Sequence, residues 1–442
     1  LEWTYEKIRQ WAPNALLLDK GRQLASPRKW GSLHTDGQWV WGDCQSSTSK
    51  THHTIVKLDG QHSRCSCQER YSPCRHAIAM LWLMLRKPEL VSSLDALPTA
   101  FQRLRDSTPP SAPTEQQAEE RQQARDKRLQ DRIHLMQGGV EELEQWLADV
   151  VRQGLSTLEE QPWSYWERTA ARMTDAKLSG IAGRIRQLPE LLGEENWHEK
   201  LLEQIAELHL FVQAFRQLDS LPAPLQEEVL TLGGRNQKKE DLLKYEGVKD
   251  HWLVIGLQTG EEEQLHYRRT WLLGEQSGRY ALILDYAYGR QPFTHNWVLG
   301  SAWQAELVFY RGSYPLRALV KNAKPHRQAL EQLAGYPDLQ AFSQAYASAL
   351  SDNPWIFTYP ALLEAVSLAH NNQKSVLSDP CGYAIPVQAE DSVLWSLMAL
   401  TAGQPTALFG EWNGASFTPL SAVQGGRVIA LQWHNTLDEE VF

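Results

Sequence analysis

Cysteine is scarce in this chain: there are five in 442 residues, an odd number and too few for a disulfide framework. No apolar run approaches the roughly 18 to 20 residues that a helix needs to cross a bilayer. The opening Leu-Glu-Trp, followed by Lys7 and Arg9, lacks the apolar core of a signal peptide. A cytoplasmic protein is the expectation. Signatures of common catalysts are missing too, with no GxxxxGK[ST] phosphate loop, no strand-anchored GxGxxG, no HExxH and no GxSxG elbow. Gly233-Gly234-Arg235 before Lys238-Lys239 mimics a phosphate loop but has neither a preceding strand nor a closing Lys-Ser/Thr, and reads as a plain loop. A non-enzymatic protein is expected.

What is present suffices for several packed cores. Hydrophobic residues make up 42% of the chain and charged ones 22%, and the length suits two to four domains. The 18 tryptophans are scattered without a fixed spacing and read as core and interface residues. Net charge is −9, which argues against a protein coated in nucleic acid. Its distribution is uneven. Residues 1–90 carry 13 Lys+Arg against 8 Asp+Glu, a balance of +5, which leaves −14 for the other 352.

Composition and periodicity divide the chain into an α+β, multidomain arrangement. Residues 1–107 hold short strands (Trp30 to Asp43, Thr54 to Leu58), then the helical stretch AIAMLWLMLR, which Pro88 ends. Residues 108–133 are the TPPSAPT linker followed by a Gln, Ala and mixed-charge helix, Glu115 to Arg132. A helical domain occupies 134–244, its apolar face marked by Leu143, Trp146, Leu147, Val150 and Val151 and continued by Leu201, Leu202, Ile205, Leu208, Val212 and Phe215. An antiparallel β domain spans 245–325, expected as a meander over Val248 to Val320. The Tyr267-Arg268-Arg269 run and Arg311 are expected on its outer face. The region 326–442 is mixed α/β, with a helix near Arg327 to Leu350, an apolar stretch near Leu394 to Leu400 and three late strands. The acidic runs Glu261 to Glu263 and Asp438 to Glu440 read as a turn and a tail.

Three of the five cysteines fall close together, as Cys65-x-Cys67 and, after six intervening residues, Cys74-x-His76. Three thiols and an imidazole are ligands that Zn²⁺ prefers, and four of them close a tetrahedral structural site. In an extended segment residues i and i+2 face one side, so Cys65 and Cys67 can reach one ion from a strand end. Pro73 suits a helix start, which puts Cys74 at the entry and His76 in the first turn. The alternatives are metal-free buried cysteines or a redox pair, though a Cys-x-Cys disulfide is strained and leaves Cys74 and His76 unexplained. His52, His53 and His62 are nearby competitors, read as exposed strand or turn histidines; Cys44 and Cys381 read as ordinary thiols. One structural zinc is expected, held by Cys65, Cys67, Cys74 and His76 and acting as a folding clamp worth on the order of 10 kcal/mol. With four protein ligands no position is left for a reacting water, and Glu69 between them reads as a solvated turn residue.

The CxCx(n)CxH pattern resembles the SWIM zinc finger, a compact ββα module. Trp41 to Ser47 resembles the strand and Ser-rich turn before that family's metal site, and Cys74-Arg75-His76-Ala77 its helix entry. Gln68 departs from the proline that commonly follows the second cysteine. The segment from Glu141 to Leu188 is similar to the helical region that follows the finger in bacterial SWIM proteins of this size, and AELVFYRGSYPLRAL is also similar to a stretch of those proteins. The resemblance implies association with MoxR-type AAA ATPases and von Willebrand A proteins, and thus an adaptor or recognition role. It implies DNA binding as the alternative, for which Arg64, Arg70, Arg75 and Lys57, with Arg86 and Lys87 farther off, are the candidate phosphate contacts. Protein recognition is the leading reading, because a helix so dense in Leu, Trp and Met is suited to packing rather than to a groove.

Overall fold

The computed structural model describes residues 3–13, 15–45, 51–60, 62–67, 69, 71–94, 96–106, 115–262, 265–288, 293–326, 334–371 and 374–431. The chain forms two compact units, Leu1–Arg125 and Asp126–Phe442. The TPPSAPT linker, the start of the helix expected at Arg327 and the acidic tail lie outside the described residues.

In the first unit, helices α1 (Tyr5–Trp11) and α2 (Ala15–Leu24) precede strands β1 (Trp30–Thr35), β2 (Trp39–Gln45), β3 (Thr51–Lys57) and β4 (Ser63–Cys65). Helix α3 (Arg75–Arg86), strand β5 (Val91–Ser93) and helix α4 (Thr99–Arg105) complete it. The sheet order is β4-β3-β2-β1-β5, antiparallel except for the β1–β5 pair. The expected ββα unit is therefore the β3–β4–α3 corner of a larger sheet. Strand alternation gives that sheet two apolar faces. Val40, Cys44 and Val56 share a core with Ile78, Met80 and Leu81 of α3, while Trp41 and Ile55 pack on Phe101 of α4. Helix α2 crosses α3 so closely that a Cβ on Gly21 would lie 2.5 Å from Cγ2 of Ile78. Trp3 and Trp11 donate their indole N–H groups to the carbonyls of Leu58 and Gly60, at 2.8 and 3.0 Å, and so pin the β3–β4 turn.

Helix α5 (Glu115–Gln153) contributes its residues from Asp126 onward to the second unit, whose other helices are α6 (Trp163–Asp175), α7 (Ser179–Gln187), α8 (Trp197–Arg216), α9 (Ala223–Leu232) and the short α10 (Lys239–Leu242). The division expected at 133/134 falls inside α5, since no proline interrupts residues 115–153. Gly139 does not break it either: a Cβ there would sit 2.4 Å from that of Ala176, so the glycine permits close packing. Leu143, Leu147 and Val150 are buried as expected, whereas Val151 and Leu202 are 64% and 53% exposed, one position off the apolar stripe. The Gly233-Gly234 pair ends α9, with Gly234 at φ 110°, which accounts for its glycine without a phosphate loop.

Strands β6 (Val248–Glu262), β7 (Leu265–Gly274), β8 (Tyr280–Tyr288), β9 (Ala302–Phe309) and β10 (Ala318–His326) form one antiparallel sheet in the order β10-β9-β6-β7-β8. It is not the simple meander expected, because β9 pairs with the far edge of β6 instead of with β8. Helix α11 (Leu339–Asp352) starts later than expected, where the Asp338 side chain accepts a hydrogen bond from the Ala341 amide at 2.7 Å. Strands β11 (Tyr359–Asn371), β12 (Lys374–Ser378) and β13 (Ala384–Pro386), helix α12 (Asp391–Thr401), and strands β14 (Thr406–Trp412), β15 (Phe417–Gln424) and β16 (Arg427–Ala430) follow. Their sheet runs β13-β12-β11-β14-β15-β16.

Each sheet has a core of its own, and the two share a further one in which Leu253, Ile255, Trp271 and Leu273 meet Leu362, Phe409 and Leu420. Trp355 inserts into the core of the helices, tying them to the β region. Arg268 and Arg269 correct the expectation of an outer, solvated face. Arg268 is 5% exposed and bonds Asp285 at 2.8 Å, and Arg269 reaches Glu411 of the facing sheet at 2.7 Å. Each arginine is offset by a carboxylate, which makes the burial of Arg268 and the partial burial of Arg269 tolerable.

Candidate metal centre

The β3–β4 hairpin and the start of α3 converge on one point. Cys65 ends β4 and Cys67 lies two residues beyond it. Cys74 is the N-cap of α3, its carbonyl accepting from the Ile78 amide at 3.1 Å, and His76 sits in the first turn. Helix α3 is anchored by its buried run from His76 to Leu81, so the two ligands at its head are held by core packing. One ligand atom from each of Cys65, Cys67, Cys74 and His76 lies within 4.8 Å of all the others. Cys65 Sγ is 3.6 Å from His76 Nδ1. Zn–S near 2.3 Å and Zn–N near 2.05 Å at the tetrahedral angle place S and N about 3.6 Å apart, so the spacing fits that ion.

Proton sharing within the cluster points the same way. The hydrogen bond with Cys67 leads the effects that push the Cys65 thiol up to about 12. Cys74 is pushed up by hydrogen bonds with Cys65 and Cys67 and then by burial, while Cys67, which receives those bonds, is held far below the usual thiol range. One thiolate thus suppresses the ionisation of its two neighbours. A divalent cation removes that conflict by stabilising all three thiolates together. Cys65, Cys67, Cys74 and His76 are the residues that would hold one structural zinc, which would supply cross-linking and no open coordination position.

The other expected candidates fall elsewhere. His53 points to the opposite face of the sheet, with Nδ1 2.5 Å from Asp43 Oδ1 and its ring edge-on to Phe101. His62 is exposed in the β3–β4 turn. Cys44 is buried beside the site in the apolar core, and burial pushes its thiol up to about 11; Cys381 is exposed. Lys57 pairs with Asp59 at 2.7 Å, Arg75 with Glu69 at 3.4 Å, and Arg64 donates to the Ser63 carbonyl at 2.9 Å. Glu69 is thus an ion-pair partner. Arg70 and Gln68 lie outside the described residues. Two contacts went unforeseen: the Thr54 hydroxyl lies 3.2 Å from Cys65 Sγ, and the His52 ring packs on that of His76 with centroids 4.7 Å apart. Strand alternation, which puts His52 and Thr54 on one side, was the available signal.

Comparison with known proteins agrees with this geometry. Residues 55–84 match the SWIM zinc finger and residues 131–232 match the SWIM-associated four-helix bundle domain. No curated protein and no solved structure matches the chain. The first match covers the end of β3, β4 and most of α3 with all four ligands, and the second covers the helices from the latter part of α5 to α9. The Cys3His site with its ββα corner is thus a SWIM zinc finger, and the helices over residues 131–232 are the four-helix bundle domain associated with it.

Proposed function

We propose that this chain is a non-enzymatic, cytoplasmic adaptor or recognition protein that acts through protein–protein contacts, with a MoxR-type AAA ATPase and a von Willebrand A protein as partners. The partner assignment rests on the resemblance to bacterial SWIM proteins. The observation that favours protein over nucleic acid is the state of the finger itself. Helix α3 spends His76, Ala77, Ile78, Ala79, Met80, Leu81 and Leu83 on the core, which leaves it no side to insert into a groove. Lys57 and Arg75 are committed to carboxylates of the same turn region. Among the described residues, no helix is long and apolar enough to cross a membrane.

Affinity purification of the full chain from its native lysate, repeated after nuclease treatment and after neutralising Lys57, Arg64, Arg70 and Arg75, tests this reading. The expected result is co-purification of an AAA ATPase or von Willebrand A protein at moderate salt, unaffected by either treatment. Binding to duplex DNA that weakens by about 0.9 log units per phosphate contact per log unit of salt, and disappears on charge removal, would establish the nucleic-acid reading instead.

A further inference from the structure

Among the metal ligands, Cys65 ends β4, Cys67 follows it and Cys74 and His76 stand at the head of α3, yet β3, the strand paired with β4, contributes none of the four. Its alternation sorts its side chains cleanly. Ile55 joins Trp41 and Phe101 in the core on one face, and His53 meets Asp43 and Phe101 there. Val56 joins the core under α3 on the other. His52 and Thr54 belong to that second face, where the metal cluster lies. Thr54 is directly opposite Cys65 in the β3–β4 ladder, fully buried, with its hydroxyl 3.2 Å from Cys65 Sγ. His52 lies two residues earlier, its ring tilted 35° against that of His76.

We propose that Thr54 and His52 form an outer shell on β3 that orients two of the four zinc ligands, Thr54 by donating its hydroxyl hydrogen bond to the Cys65 sulfur and His52 by packing against the His76 imidazole. Both are positioning residues, since neither belongs to the four-ligand set. A hydrogen bond to a metal-bound thiolate is charge-assisted and fixes the sulfur's direction, and outer-shell partners of this kind typically change metal affinity 10- to 100-fold. Placing both on one strand makes the twist of β3 set the angle between a strand ligand and a helix ligand.

The test is zinc release from the zinc-loaded full chain to a chromophoric chelator, with circular dichroism as the control for folding and the cobalt-substituted chain's sulfur-to-metal charge-transfer band as a second readout. Thr54→Val keeps the shape and removes the hydroxyl; Thr54→Ser keeps the hydroxyl and removes a methyl. The expected result is release roughly 10- to 100-fold faster for Thr54→Val with a shifted charge-transfer band, and near wild-type behaviour for Thr54→Ser. His52→Phe should retain zinc and His52→Ala should lose it faster. If Thr54→Val cannot be loaded while Thr54→Ser loads normally, the hydroxyl is required and the proposal stands. Equal release for Thr54→Val and Thr54→Ser, whether both are unchanged or both accelerated, overturns it, because the methyl or neither group would then matter.

Discussion

Zinc binding by this chain should expel close to three protons at neutral pH. Cys65, Cys67 and Cys74 must all be thiolates to ligate, and with one sulfur ionised the other two are pushed up, Cys65 to about 12. Holding that cluster together without a cation is unfavourable, so the metal-free module should open and its cysteines revert to ordinary values near 8.5, each about 97% protonated at pH 7. Each released proton changes the apparent affinity about tenfold per pH unit, or about 1.4 kcal/mol, so three give about 4 kcal/mol per pH unit. The sign is fixed: thiol protons compete with the ion, so affinity falls as pH falls and rises until the thiols ionise unaided. Titration calorimetry in two buffers of different ionisation enthalpy counts the protons directly. A count of two would refute the reasoning, because it would mean that the cluster persists around a single thiolate and that the module keeps its fold without the ion.

Other outcomes follow from packing and charge. Asp250 is 6% exposed; burial works to raise its carboxyl, but hydrogen bonds from the Ser277 hydroxyl and the amides of Ser277, Gln276 and His251 prevail and hold it below the usual range. Its stabilisation is therefore present above pH ~4 and lost on acidification through the folded value, so Asp250→Asn should cost about 1–3 kcal/mol in urea unfolding at pH 7 and much less at pH ~2. Gly21→Ala should destabilise the first unit by about 1–3 kcal/mol, since the new methyl must displace Ile78, measurable as a lower Tm for that unit. Glu411 accepts from Arg269 and from the Trp271 indole, at 2.7 and 2.6 Å, across the two sheets. Glu411→Gln should cost more than the ~1 kcal/mol of a surface pair but less than the ~3–5 of a fully buried one, and a double-mutant cycle with Arg269→Met should recover most of it.

The metal ligands were legible because their chemistry is local: four soft or borderline donors within a dozen positions have one obvious use, and the hairpin and helix needed to gather them are themselves local. Periodicity also located the buried stripe of the helical bundle, since Leu143, Leu147 and Val150 repeat at the helical period. What periodicity does not carry is which strand lies beside which. The β9–β6 pairing and the parallel β1–β5 pairing join segments far apart in the chain, and the local period of a strand does not name its partner. Arg268 and Arg269 show the same limit, for a charge reads as solvent-facing until its partner, Asp285 or Glu411, is brought opposite by the fold. Thr54 escaped notice for a related reason: a threonine in a strand has an ordinary explanation in β propensity, and only the β3–β4 register places its hydroxyl on a sulfur.

X-ray absorption at the zinc edge of the purified full chain tests the central claim most directly. One zinc per chain is predicted, with three sulfurs at about 2.3 Å and one nitrogen at about 2.05 Å. A first shell containing a water oxygen or fewer than three sulfurs, or the lack of stoichiometric metal in freshly prepared protein, would contradict it.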